Sequence, residues 1–210
     1  MNLTVTVDNK TAERLSDAQM VVEARAGNRG AFAGLMDRHQ SPVFRMVFYR
    51  IRSPMDAEDL TQEIFTRAFA RLRGLKDPER FRSWLFAIAV NCIRDFQRKQ
   101  MVKGLFGSRS GTNSDDPLAG IRDGGPSPQD LVMRQEFWKQ VRAFLDKLPR
   151  MEREVFLLRF WDHLGLREIA EVLGKSQSTV KTHLYRALSK FKHSATIVQL
   201  LQEEERENHR

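Results

Sequence analysis

The stretch from Leu166 to Lys192, LREIAEVLGKSQSTVKTHLYRALSKFK, constrains this chain more than any other part of it. Ile169, Ala170 and Leu173 recur at helical intervals, and so do Val180, Leu184 and Leu188, which predicts two short amphipathic rods packed through those residues. Gly174 stands between them, where a tight turn needs backbone freedom, and Ser176 is placed to cap the free amides of the second rod. The second rod carries Lys175, Lys181, His183, Arg186, Lys190 and Lys192, with no acidic residue from Ser176 to Lys192. Small-residue turn, apolar register and one-sided charge together describe a helix-turn-helix whose exposed second helix fits a DNA major groove. The competing reading is a helical hairpin with a solvated basic face.

Charge points the same way. The chain has a formal net charge of +8 and a sequence pI near 10.0, and such a surface attracts phosphate backbones, or equally an acidic membrane. The first twenty residues lack a basic start followed by an apolar run, and the most apolar stretch, Trp84 to Val90, is too short to cross a bilayer. A cytoplasmic chain with no membrane insertion is therefore expected. The single cysteine, Cys92, excludes an internal disulfide and offers no zinc cluster. It falls between Ile88 and Phe96 at helical spacing, which predicts a buried small hydrophobe. With no nucleophile–base pair, no phosphate-cradling glycine loop and no metal spacing, the expectation is no catalytic residue, no cofactor and no metal.

Strand patterning is confined to Leu3 to Val7, too short to found a sheet. The remainder predicts an all-α chain of two small domains: an arm at 1–14, a helical domain at 15–100, a flexible linker at 101–130, a helix-turn-helix domain at 131–195 and a charged tail at 196–210. Ser16 or Asp17 caps a first helix that Gly27 and Asn28 stop; a second runs from Ala31 to Phe48. After Pro54, Asp56 opens a third helix to Leu72 with Leu60, Ile64, Phe65, Ala68 and Leu72 as its apolar stripe, and a fourth spans about Arg80 to Lys99. The linker is rich in Gly, Ser, Asp and Pro and has no sustained apolar period. Beyond it, Leu131 to Leu148 and Met151 to Trp161 lead into the helix-turn-helix.

Two faces of the first domain are readable. On the fourth helix Phe81, Leu85, Ile88, Cys92 and Phe96 share a core side, and Ser83, Ala87, Asn91, Arg94 and Arg98 line the other. Asn and Arg at that spacing suit base edges and phosphates, against the alternative of a solvated face. Phe81, Trp84 and Phe86 near its start either pack in the core or offer rings on which unstacked bases rest. On the third helix Asp56, Glu58, Asp59 and Glu63 suit the positive end of the helix dipole and also make a docking face for a basic protein.

The segments DAEDLTQEIFTRAFARL (56–72), FRSWLFAIAVNCIRDFQRK (81–99), FLDKLPRMEREVFLLRF (144–160) and the helix-turn-helix, in that order, closely resemble bacterial extracytoplasmic-function (ECF, group 4) RNA polymerase sigma factors. The run at 15–40 is similar to the family's opening. By that resemblance the first block is sigma region 2 and the second region 4. Asp56, Glu58, Asp59, Gln62, Glu63 and Phe65 would grip the coiled coil of the polymerase's largest subunit, and the second block would reach its flap. Gly74 to Ser83 and the following helix would form a pocket for a flipped base of the −10 element, with Asn91 at the pocket and Arg82, Ser83, Arg94 and Arg98 steadying the strand. Ser178, Lys181, Thr182, His183, Tyr185 and Arg186 would face the −35 element; Lys181 and His183 stand where arginine is frequent. The linker would thread toward the active-site cleft, with Asp115 and Asp116 as mimics of template phosphate. The partners implied are core RNA polymerase, promoter DNA and an anti-sigma factor. Two rivals remain: a ligand-sensing helix-turn-helix repressor or activator, and a helical hydrolase built on Asp56, Glu58, Asp59 and His39.

Overall fold

In the computed structural model, which describes residues 15–106 and 139–193, every regular element is helical and the chain divides into two compact units. The first holds α1 (Asp17–Arg25), α2 (Arg29–Ile51), α3 (Pro54–Arg71), two 3-10 turns (Leu72–Gly74 and Pro78–Arg80) and α4 (Phe81–Phe106). Its joints follow from local chemistry. Ser16 Oγ accepts the Gln19 amide at 3.2 Å while Gln19 Oε1 accepts the Ser16 amide at 2.8 Å, a reciprocal cap at the start of α1. Gly27, at φ 102°, then turns the chain, and the Asn28 side chain accepts the Ala31 amide to begin α2.

One proline behaves differently from the sequence expectation. Pro54 does not interrupt; it is the first residue of α3, where its missing N–H would have had no partner, and Ser53 caps the helix before it. Pro42 lies inside α2, which passes through it and ends three residues beyond Phe48. A proline there removes one backbone bond. Leu35, Val43, Met46 and Val47 are fully buried on either side, and their packing carries α2 across that point.

The α3 stripe is as expected: Leu60, Ile64, Phe65, Ala68 and Leu72 are all buried between α2 and α4. Helix α4 departs more. Phe81, Leu85, Ile88 and Cys92 are buried on the anticipated side, yet so are Phe86, Ala89, Val90 and Ile93, because α1, α2 and α3 all pack on this one rod. Burial pushes the Cys92 thiol up, as for an inert core residue. The helix also runs to Phe106, six residues into the stretch expected as linker. Extending an existing helix costs little, and Gln100, Met101 and Lys103 are good helix formers.

The second unit holds α5 (139–147), α6 (Arg150–Phe160), α7 (Leu166–Leu173) and α8 (Gln177–Lys192). Pro149 separates α5 from α6, and Val141, Phe144, Leu145, Leu148, Val155 and Leu158 are buried. The rings of Phe144, Phe156 and Phe191 meet at centroid distances of 5.3 to 5.8 Å, which seats the end of α8. Among the described residues no helix is long and apolar enough to cross a membrane, and no group of three or more His, Cys, Asp or Glu could hold a metal ion. Leu3 to Val7, Asp115, Asp116, the rest of the expected linker and the charged tail lie outside the described residues.

Candidate nucleic-acid interface

Helix α8 is presented by its turn. Gly174 adopts φ 61°, a left-handed conformation that a side chain would strain, and Ser176 Oγ accepts the Thr179 amide at 3.2 Å. Val180 and Ala187, seven residues apart, are wholly buried, while Leu184 and Leu188 are half-buried; Ala187 belongs to the inner seam although the apolar periodicity passes it over. The outer side carries Ser178, Lys181, Thr182, Tyr185 and Arg186, all exposed, Tyr185 to 69%. Thr182 Oγ1 donates to the Ser178 carbonyl at 3.0 Å, so that hydroxyl is left with acceptor capacity only. His183 is half-buried; its Nδ1 is enclosed without a hydrogen-bond partner, which leaves Nε2 as the nitrogen it offers outward.

Charge on this helix is not all alike. Lys175 sits in the turn before it. Lys190 donates to Glu152 Oε2 of α6 at 2.7 Å, and that carboxylate is buried. Sequence reasoning counted Lys190 with the free basic residues and missed Glu152. The signal was there: Glu152 shares a helical face with the buried Val155 and with Phe156, and a carboxylate on a core face requires a cation.

On α4, Asn91 and Arg98 are exposed and Arg94 is half-buried, within about 10 Å along the axis at 1.5 Å per residue. Arg82 and Ser83 lie about 12 Å or more before Asn91 on the same rod, so the expected residues form an extended row and not one cluster. Arg98 donates to Asp95 at 2.7 Å, and Asp95 stands 3.9 Å from Arg67 of α3, which places a carboxylate inside a row expected to be cationic. Ser83 Oγ donates to the Arg80 carbonyl at 3.2 Å, and the Arg82 guanidinium lies 5.5 Å from the Phe86 ring centre. Phe81 and Phe86 are buried, so neither ring is a stacking platform; Trp84 is half-buried.

The acidic face of α3 comprises exposed Glu58, Asp59, Gln62 and Glu63 beside half-buried Asp56. Glu63 pairs with Arg67. Phe65 is 3% exposed and stands behind this face as core. His39 is no companion to these acids. It is buried, bonded to Asp17 Oδ2 at 2.7 Å, and set edge-on to Phe81. Asp17 also accepts from Arg38 at 2.6 Å, and the His39 hydrogen bond foremost holds its carboxyl below the usual range. The pair fastens α1 to α2, which removes the basis for a hydrolase.

Residues 35–102 match the Sigma-70 region 2 family, and residues 138–191 match the Sigma-70 region 4 family, the latter spanning α5 to α8. RNA polymerase sigma factor SigV of Bacillus subtilis is 30% identical over 152 residues, 71% of this chain and 82% of that one. ECF RNA polymerase sigma factor SigW of the same organism is 29% identical over 167 residues, 79% and 89% of the two chains. This chain belongs to the ECF RNA polymerase sigma factors. A solved structure of CnrH in complex with the cytosolic domain of CnrY is similar at 28% identity with a TM-score of 0.60, covering 84% of this sigma factor and 95% of CnrH. A sigma factor acts by directing promoter-specific initiation of transcription.

Proposed function

We propose that this sigma factor, of the group 4 type, aligns core RNA polymerase on a two-part promoter by reading the −35 duplex with α8 and capturing an unpaired −10 base at α4. The observation that carries the reading is the outer side of α8: Ser178, Lys181, Thr182, His183, Tyr185 and Arg186 on a helix that the Gly174 turn and the Ser176 cap hold clear of its own core. Arg186 and Lys181 are suited to guanine edges or phosphates, and Tyr185 to apolar contact with a base methyl. At the other element Asn91 meets the displaced base, Arg94 and Arg98 steady the strand, and Ser83 and Arg82 lie upstream on the same helix. Capture offsets the few kcal/mol lost when a base leaves its stack, so opening is driven by binding. Sigma factors are regulators of transcription, and no catalytic residue is assigned.

Glu58, Asp59, Gln62 and Glu63, with Asp56 at the helix start and Phe65 as support, form the surface for the largest-subunit coiled coil, and the second unit takes the flap. Helix α4 continues to Phe106, past the expected end of the first domain at residue 100. CnrH is held in a complex with the cytosolic domain of CnrY, and by similarity an anti-sigma protein controls this factor in the cytoplasm. Run-off transcription with purified core polymerase on a genomic library tests the reading: selective starts are expected, and tight duplex binding without polymerase but no initiation would favour a repressor. Asn91→Ala is expected to impair opening, seen as lost permanganate reactivity, while core binding is retained; loss of core binding would make the residue structural.

A further inference from the structure

The two ends of α8 are held in different ways. Its first turns are fastened by a cap and stand exposed, whereas its last turn is tied down by Phe191, packed against Phe144 and Phe156, and by Lys190, whose ammonium lies 2.7 Å from Glu152. Glu152 keeps 7% of its side-chain surface, Lys190 49%. A flexible lysine with half its surface in water would reach a passing phosphate if nothing restrained it; a buried carboxylate beside it restrains it, because leaving would strand that charge away from solvent.

We propose that Glu152 is a positioning residue of the −35 reader, which keeps Lys190 out of the phosphate contacts and so limits sequence-independent affinity. The inference rests on α8 being the duplex-reading helix. Phosphate contacts raise binding to every sequence alike, while base contacts sit on the earlier turns of the helix. A lysine sequestered at the far end therefore lowers affinity for promoter and scrambled duplexes alike and leaves their ratio to the base contacts. The pair also positions α8 on α6.

The test measures binding of the full chain with core polymerase to two duplexes, a promoter selected by run-off transcription and a scrambled duplex of the same composition, across a salt series. Glu152→Gln preserves shape and releases Lys190. It is expected to steepen the slope of log affinity against log salt by about 0.9 on both duplexes, equivalent to about threefold more weakening between roughly 50 and 200 mM, and to leave the promoter-to-scrambled ratio unchanged. Lys190→Met is expected to leave the slope unchanged while lowering the thermal midpoint, and the Glu152→Gln/Lys190→Met pair is expected to recover that midpoint with the parental slope. A shallower slope in Lys190→Met, or an unchanged slope in Glu152→Gln, overturns the proposal. Failure of the parent to distinguish the two duplexes would instead overturn the reading of α8, and this inference with it.

Discussion

Helix α4 carries its proposed DNA row on a rod enclosed by α1, α2 and α3, whereas α8 carries its own on a rod that leans chiefly on α6. Along α4, Phe81, Leu85, Phe86, Ala89 and Val90 are sealed from water; along α8 only Val180 and Ala187 are buried. An enclosed rod holds a few outward groups rigidly, as a pocket for one unpaired base requires. A rod on the surface exposes most of its circumference, as insertion into a groove requires. Stability and recognition are therefore nearly inseparable in α4 and nearly separable in α8.

The largest expected effect tests the enclosed half of that contrast. Phe86→Ala should cost about 3–5 kcal/mol of stability in urea unfolding followed by circular dichroism, because its ring leaves a cavity beside several helices. A loss under about 1 kcal/mol would mean that this side of α4 is open and the contrast false. Next, Arg186→Ala in α8 should leave the unfolding curve in place and weaken −35 duplex binding by about 1–3 kcal/mol if the guanidinium reads a base. Equal weakening on all sequences would reduce it to a phosphate contact.

Smaller still is the cap. Ser176→Ala should destabilise the second unit by about 1 kcal/mol, with amide exchange accelerated in the first turn of α8, whose Thr179 amide loses its acceptor. Last comes a pH effect confined to the first unit. Because the Asp17 carboxyl is held down by His39 and then Arg38, its stabilisation is complete above the unfolded carboxyl value near about 4 and is lost as pH falls through the lower folded value. Asp17→Asn should flatten that acid limb in thermal unfolding at successive pH values. An unaltered limb would show that α1 is fastened by other contacts, among them Arg25 Nε to the Leu72 carbonyl at 3.1 Å.

Much of this was legible in the chain because it is local. Capping at Ser16 and Ser176 and turns at Gly27 and Gly174 depend on residues a few positions apart, and the α3 stripe depends only on the helical period. What escaped depended on the number of neighbours. A period assigns an angle around a helix without saying how much of the circumference is covered, so it left Phe86 open between core and an available ring. The continuation of α4 to Phe106 escaped for a related reason: simple extension overrode the local stop signals of the Gly- and Ser-rich stretch.

The sequence alone determined the all-helical class, the two blocks, the helix-turn-helix and the family, since these rest on spacing and order along the chain. Only the tertiary structure decided which charged groups are spent inside the fold. Lys190 and Lys181 look alike in the sequence, but Lys190 faces a carboxylate from α6 that water scarcely reaches, and Lys181 faces solvent. The strength of a charge depends on the dielectric around it and on partners brought from distant positions, and neither exists until the chain has folded.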